Sequence, residues 1–364
     1  MAFSTATDLA GTHAWRINDE VTQLREWATT NTYPLPPPLP KGERRTIGAS
    51  STCWLRLQDR RVSRRHAELT YQPPNGWTLT DLQSKNGVLL DGVRRGAFPL
   101  TPGVEVRIGR VTLIAESPLF CALRNIVSRL IGWSSARRPD VDTALRAIRM
   151  AATLHEPLLL CADAGHMSIA RLLHQYVLGA DRPFVICERR KSASERAARS
   201  EPGLTALSAA TGGTLVVWRN RLPEDFDQVI MALREPTAGV LLVVCSQTQP
   251  HGADTSAQMV VPPLAGRPLE LTRIIDEYAA DAIAELGGSL TSDDRRWVAA
   301  QELTHSNIQT ATRRLAALRA AGGSVKRAAE RLGMSHGSLS VWLARRDLPT
   351  LRGVRDEGLD VDDE

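Results

Sequence analysis

Lysine is nearly missing from this 364-residue chain: it stands only at Lys41, Lys85, Lys191 and Lys326, so arginine carries almost all of the positive charge. That bias reflects genome composition more than chemistry. Long apolar runs are missing too. "VLLVVC", from Val240, is only strand-length, whereas a membrane span needs about 18 or more apolar residues, so no membrane partner is expected. The opening "MAFSTATDLAGTHAW" has no basic region followed by an apolar one, and no secretory leader is expected. Cysteine is sparse. Cys53, Cys121, Cys161, Cys187 and Cys245 are odd in number, far apart and without metal-ligand spacing. This argues against a disulfide framework and a metal centre, and for reduced thiols in a cytoplasmic protein that needs no cofactor.

Hydrophobic residues make up 43% of the chain and charged residues 23%, ordinary values for a soluble globular protein. The length allows two or three domains at roughly 100–200 residues each. The net charge of +5 is unevenly spread. Arg319, Lys326, Arg327, Arg331, Arg345 and Arg346 face only Glu330, and the tail that follows holds Asp356, Glu357, Asp360, Asp362, Asp363 and Glu364. A basic segment before an acidic tail implies a polyanion partner, with the tail as an internal competitor.

The proline-rich "NTYPLPPPLPKG", Asn31 to Gly42, reads as a linker after a short helical lead, Ile17 to Ala28. From Arg44 to Ala115, short β-rich runs such as "AELTY", "WTLTDL" and "VTLIAE" alternate with Gly/Pro/Asn turns, the pattern of an all-β sandwich. After Ser117 the period changes. "DTALRAIRMAATLH" puts Leu145, Ile148 and Ala152 on one helical face, and "PLLLC", "PFVIC", "GTLVVW" and "GVLLVVC" read as buried strands between helices, hence a parallel α/β layer. From Leu290 onward the pattern is helical.

Within the β-rich part, Ser63 and Arg64 precede one strand and Ser84-Lys85-Asn86-Gly87 follows the next. If the two strands run antiparallel, these groups meet at one edge. A dianionic phosphate accepts from a hydroxyl, a backbone N–H and a guanidinium together, and an Asn amide suits the main chain of an extended peptide. The stretch resembles the forkhead-associated (FHA) domain, a phosphothreonine-peptide-binding sandwich. The residues that carry the resemblance are Gly48, Ser63-Arg64-Arg65-His66, Ser84-Lys85-Asn86-Gly87 and Ile108-Gly109. It implies that Ser63 and Arg64 bind phosphate, with Ser84, Lys85 and Asn86 completing the phosphopeptide site and His66 bracing the Ser63 loop. Ala49 stands where that family usually has Arg after the first Gly. Losing a charged hydrogen bond there weakens binding by about 1.5–3 kcal/mol, and Arg65 and Arg56 are the cations left to offset it.

The middle of the chain, "PLLLCADAGHMSIARLLHQYV" with a later "GGTLVVW" and "PPLAGRPLE", resembles the AAA+ module of sigma-54-dependent transcriptional activators. Its chemistry is missing. A phosphate loop needs several glycines and a Lys, but "CADAGHMS" offers Gly165 and puts His166 in the Lys position. Val217, Trp218 and Arg219 replace the carboxylates expected after "GGTL", so ATP hydrolysis would lack both metal support and a base. The family's sigma-contacting loop has no counterpart in "ERRKSASERAARSEPG". Asp163, His166 and His174 are read as structural.

"GGSVKRAAERLGMSHGSLSVWLARRDLP" places Ser324 as an N-cap for a helix through Leu332, Gly333 as its stop, and Ser335 as the cap of a second helix to about Arg346. Two short helices joined through Gly are a helix-turn-helix pattern. It resembles the Fis-type module that closes sigma-54 activators, through Gly323, Ala328-Ala329 and Leu332-Gly333-Met334-Ser335. The resemblance implies a homodimer with His336, Gly337, Ser338 and Ser340 near base edges, and Lys326, Ser335, Arg345 and Arg346 on phosphates.

The expected architecture is therefore multidomain. It comprises a lead and linker (1–43), an all-β FHA sandwich (44–116), a degenerate AAA+-like α/β domain (117–288), an all-α domain with the helix-turn-helix (289–349) and an acidic tail (350–364). The expected function is a non-enzymatic transcription regulator, without catalytic residues, that joins a phosphothreonine-containing protein of a Ser/Thr-kinase pathway to double-stranded DNA. The alternative is a phosphopeptide adaptor with a vestigial DNA-binding module.

Overall fold

The computed structural model describes residues 15–36, 44–74, 76–187, 202–235, 239–248, 257–301 and 303–345. The chain forms two compact units. The first comprises Met1–Ala162 and Ile169–Val261, the second Asp163–Ser168 and Pro262–Glu364.

The first unit begins with eleven strands: β1 (Gln23–Glu26), β2 (Thr32–Pro34), β3 (Arg44–Gly48), β4 (Leu55–Arg56), β5 (Ala67–Gln72), β6 (Gly76–Asp81), β7 (Val88–Leu90), β8 (Val93–Arg95), β9 (Ala97–Pro99), β10 (Glu105–Ile108) and β11 (Val111–Glu116). They make a six-stranded sheet, β2-β1-β11-β10-β7-β8, and a five-stranded sheet, β4-β3-β5-β6-β9. Alternating residues of both sheets, including Leu24, Val88, Val106 and Leu113 from one and Ile47, Leu69, Trp77 and Leu79 from the other, fill one core. This is the sandwich its sequence predicts.

The helical lead is not found. Residues Gln23–Glu26 are a strand paired with β11, and Thr32–Pro34 of the proline-rich stretch pairs with it as β2. Tertiary pairing overrides the local pattern here, and Pro34 is tolerated because β2 is the outermost strand of its sheet. The sandwich therefore starts some twenty residues before the boundary expected at residue 44. Residues 37–43 of that stretch lie outside the described residues.

β1 also explains why the sandwich and the following helices, α1 (Pro118–Ile131) and α2 (Arg138–Leu154), share one unit. Arg25, only 3% exposed, donates from Nε to Glu116 at 2.7 Å and forks onto Asp142 of α2 at 2.5 and 3.1 Å. Burial alone would lower the Arg25 pKa, but Asp142 and Glu116 outweigh it and hold the guanidinium above its ordinary value. On the same helix, Arg146 meets Glu105 and covers the Trp27 ring at 4.4 Å, and Arg149 meets Asp91.

The rest of this unit is a parallel sheet of β12 (Leu158–Cys161), β13 (Phe184–Ile186), β14 (Thr214–Trp218), β15 (Leu241–Ser246) and β16 (Gln258–Val260), in the order β13-β14-β15-β12-β16. Between the strands lie α3 (His166–Val177), α4 (Pro202–Ala209) and α5 (Phe226–Leu233). The four strands read from the sequence are present and parallel, as expected of apolar runs covered on both faces.

The second unit holds α6 (Leu271–Leu286), α7 (Ser292–Ala299), α8 (His305–Ala320), α9 (Val325–Leu332) and α10 (His336–Ala344). α6, placed by the sequence in the α/β domain, packs instead along α8, which moves the division from residue 288 to Val261. α7 opens with a capping box between Thr291 and Asp294. Burial would raise the Asp294 carboxyl, but hydrogen bonds from Arg319 and Thr291 dominate and hold it below the usual carboxylate range.

Candidate functional site

β5 and β6 are antiparallel, with Ala67 opposite Asp81, so the loop before β5 and the loop after β6 emerge side by side. The contacts beneath that edge involve Ser63, His66, Lys85, Asn86 and Gly87. Ser63 N–H donates to His66 Nδ1 at 3.0 Å, and Nε2 of the same ring lies 3.1 Å from the Gly87 carbonyl. With Nδ1 accepting, the proton sits on Nε2 and is donated to Gly87. His66 is fully buried and so ties the two loops together, as the resemblance implies. Lys85 N–H donates to Ser63 Oγ at 3.2 Å, and Asn86 Nδ2 donates to the Arg61 carbonyl at 2.7 Å.

Glycine is required twice. A Cβ at Gly48 would strike the Arg64 carbonyl. That close approach lets Ala49 and Ser50 N–H donate to the Ser63 and Arg64 carbonyls, both at 3.0 Å. Gly87 has φ +74°, and its Cβ would fall 2.8 Å from the Arg94 Cζ.

Of the five residues assigned to the phosphopeptide, Arg64, Lys85 and Asn86 are exposed and Ser63 is half-buried. Ser84 differs. It is 8% exposed, and its hydroxyl accepts the Gly87 N–H at 2.9 Å, closing the turn from below. Its O–H remains to donate, but the side chain is buried where Ser63 is only half-buried, so Ser84 is the less open of the two hydroxyls and mainly shapes the turn. Ala49, half-buried, brings no charge to the edge. Sequence reasoning missed Asp59 and Arg94. The Asp59 carboxylate accepts the N–H of Arg61 at 2.7 Å and of Arg110 at 2.8 Å, and those bonds, Arg61 first, hold its pKa below the usual range. Arg94 lies on β8, which the sequence reading left unassigned although Asp91-Gly92 before it is a hairpin-turn pair.

In the second unit Ser324 and Ser335 cap α9 and α10, and Gly333 ends α9 at φ +63°, as expected. α10 stops at Ala344 rather than Arg346. Ala328, Ala329, Leu339, Trp342 and Leu343 are buried between the helices and their neighbours, and Trp342 meets Trp297 edge-on at 5.9 Å. Lys326, Ser335, His336, Gly337, Ser338 and Arg345 are exposed and Ser340 is half-buried, whereas Arg346 lies outside the described residues. The basic segment is partly consumed internally: Arg319 forks onto Asp294, and Arg331 donates to the Leu286 carbonyl at 3.1 Å.

Of the three positions at the end of β14 where carboxylates were expected, Arg219 is exposed. Val217 is core and Trp218 half-buried. His166 is buried at the start of α3, and Asp163 caps the Ala164 N–H at 2.8 Å. His174 Nδ1 lies 2.9 Å from the Thr214 hydroxyl, with burial lowering its pKa. The segment 188–201, compared above with a sigma-contacting loop, lies outside the described residues. No helix among the described residues is long and apolar enough to cross a membrane.

Residues 45–109 match the family model of the FHA domain, and an FHA domain is therefore present in this chain. Similar solved structures include an FHA domain analysed for phosphothreonine-dependent interactions (28% identity, 26% of this chain and 94% of that one, TM-score 0.24). Another is the FhaA FHA domain complexed with an intracellular domain (29% identity, 25% and 96%, TM-score 0.23). Mycobacterium tuberculosis EmbR in complex with a low-affinity phosphopeptide is a third (28% identity, 27% and 24%, TM-score 0.24). A search of curated proteins returns no match.

Proposed function

We propose that this FHA-containing chain is a non-enzymatic transcription regulator that binds a phosphothreonine partner at the β5–β6 edge and duplex DNA through α9 and α10. The observation that carries the reading is the convergence of Ser63, Arg64, Lys85 and Asn86 on one edge, held from below by the buried His66. A phosphothreonine phosphate takes charge-assisted bonds from the Arg64 guanidinium and the Ser63 hydroxyl, while the Asn86 amide exchanges its bond to Arg61 for the peptide backbone. The partner is supplied by a Ser/Thr kinase. DNA binding is supported by the exposed, carboxylate-free start of α10 (His336, Gly337, Ser338) flanked by Lys326 and Arg345. The parallel layer, with His166 in the phosphate-loop Lys position and Val217 and Trp218 where carboxylates were expected, serves as scaffold.

The test uses the full-length chain in two arms. A phosphothreonine peptide library is titrated against wild type and Arg64→Ala, with an expected loss of about 10- to 100-fold for the variant, as for one charged hydrogen bond. Fragmented genomic DNA is then captured at several salt concentrations with and without residues 323–364. No preference for phosphorylated over unmodified peptides ends the reading. A phosphopeptide preference without salt-dependent DNA capture turns the molecule into an adaptor.

A further inference from the structure

The edge around the candidate phosphate site carries an imbalance of charge that Ser63 and Arg64 do not use up. Arg56, Arg60, Arg61, Arg64, Arg65, Lys85, Arg94 and Arg95 are all exposed. Two of the carboxylates in this part of the sandwich are turned inward onto backbone N–H groups. Asp59 accepts from Arg61 and Arg110, and Asp81 Oδ2 accepts from Ser84 at 3.3 Å. Asp91 is taken by Arg149. Among the described residues none of these acids forms an ion pair with Arg64, Arg65, Lys85 or Arg94.

Arg94 is the cation that strand pairing brings to the turn. β8 pairs with β7 in the register Leu89 to Arg94 and Val88 to Arg95, which carries the guanidinium back toward the turn at Gly87. There it occupies the space that a side chain on residue 87 would fill, with Cζ 2.8 Å and Nη2 2.9 Å from that Cβ position. Gly87 follows Asn86 directly and is held by both His66 and Ser84. The guanidinium thus lies against a braced turn, one residue along the chain from Asn86, the amide assigned to the peptide backbone. A planar fork of donors in such a place matches a carboxylate in bidentate fashion.

We propose that Arg94 is a specificity residue of this site, which selects phosphothreonine peptides bearing an Asp or Glu side chain close to the phosphothreonine. The inference rests on the phosphopeptide reading above and deepens it: phosphate is taken by Ser63 and Arg64, and a second negative charge on the same peptide is taken by Arg94. Ala49 brings no charge to this recognition.

The experiment measures binding of the full-length chain to three fluorescent peptides: phosphothreonine with Glu flanks, phosphothreonine with Ala flanks, and unmodified threonine with Glu flanks. Wild type, Arg64→Ala, Arg94→Ala and Arg94→Lys are compared. The expected result is that wild type prefers Glu over Ala flanks by about tenfold and that Arg94→Ala erases this preference while binding the Ala-flanked peptide unchanged. Arg94→Lys keeps part of it, as a point charge without the fork. Arg64→Ala weakens both phosphopeptides alike. If Arg64→Ala has no effect, the phosphopeptide reading itself fails. If Arg64→Ala weakens binding but Arg94→Ala retains the full Glu preference, or wild type shows none, the role of Arg94 is overturned and the reading stands without it.

Discussion

The β5–β6 edge and the α9–α10 pair both display polar side chains to solvent, but they support them in opposite ways. At the edge, Arg64, Lys85 and Asn86 rise from loops with no regular ladder of their own. Those loops are held by a buried imidazole, two hydroxyls and the carboxylates of Asp59 and Asp81, bonded to backbone N–H groups. In the helix pair, His336, Gly337 and Ser338 ride on a self-bonded backbone that needs one cap, Ser335, and an apolar underside of Leu339, Trp342 and Leu343. A loop site spends buried polar residues on its geometry; a helical site spends apolar ones. Losing a support should therefore cost stability and ligand together in the sandwich, whereas the helices depend on the packing of their unit.

Three changes would break or sharpen that contrast. The largest effect is expected of Arg25→Ala, which leaves the buried Asp142 without its guanidinium and Glu116 with Arg124 and Gln23. Breaking a buried pair in this way costs about 3–5 kcal/mol. Thermal unfolding of the first unit should fall accordingly, with peptide affinity lost only through unfolding. A melting temperature within a few degrees of wild type would show that the network is not what joins α2 to the sandwich.

Next comes His66→Ala, which leaves the Ser63 N–H and the Gly87 carbonyl without partners, at roughly 1–3 kcal/mol for each buried group. Phosphopeptide affinity should drop by more than the folded fraction explains, since the Ser63 and Asn86 loops lose their common brace. Unchanged affinity in the folded fraction would contradict the picture of a loop site built on buried polar groups.

The smallest is Asp294→Asn in the helical unit. The folded Asp294 carboxyl titrates below its unfolded value, so its contribution is complete above the ordinary carboxylate range and is lost as pH falls through the lowered folded value. At neutral pH the variant should be less stable by about 1–2 kcal/mol, with the difference closing on acidification. A gap that stays constant down to pH 2 would assign the loss to packing and not to charge.

Much of this was legible because it is local. The hairpin ends, both helix caps and the stop at Gly333 each follow from residue types a few positions apart, whereas the role of His66 was implied by the FHA resemblance. What went unread is long-range. Gln23–Glu26 becomes a strand only because β11, about ninety residues later, offers its backbone, and Arg25 is buried only because Glu116 and Asp142 arrive beside it. That Ser84 is buried beneath its turn while Ser63 is half-buried was also unread, because a hydroxyl next to a basic loop reads the same in either place. Arg94 was invisible because only the pairing of β7 with β8 brings it to Gly87.

By itself, then, the order of residues determined most of the strands between residues 44 and 116 and both helices of the α9–α10 pair, since periodicity, turns and caps act over one or two turns of chain. Tertiary structure alone decided where the units divide, which arginines are spent inside and which remain for a partner. Charges far apart in sequence compete for the same few carboxylates, and only the folded distances say which pairs form.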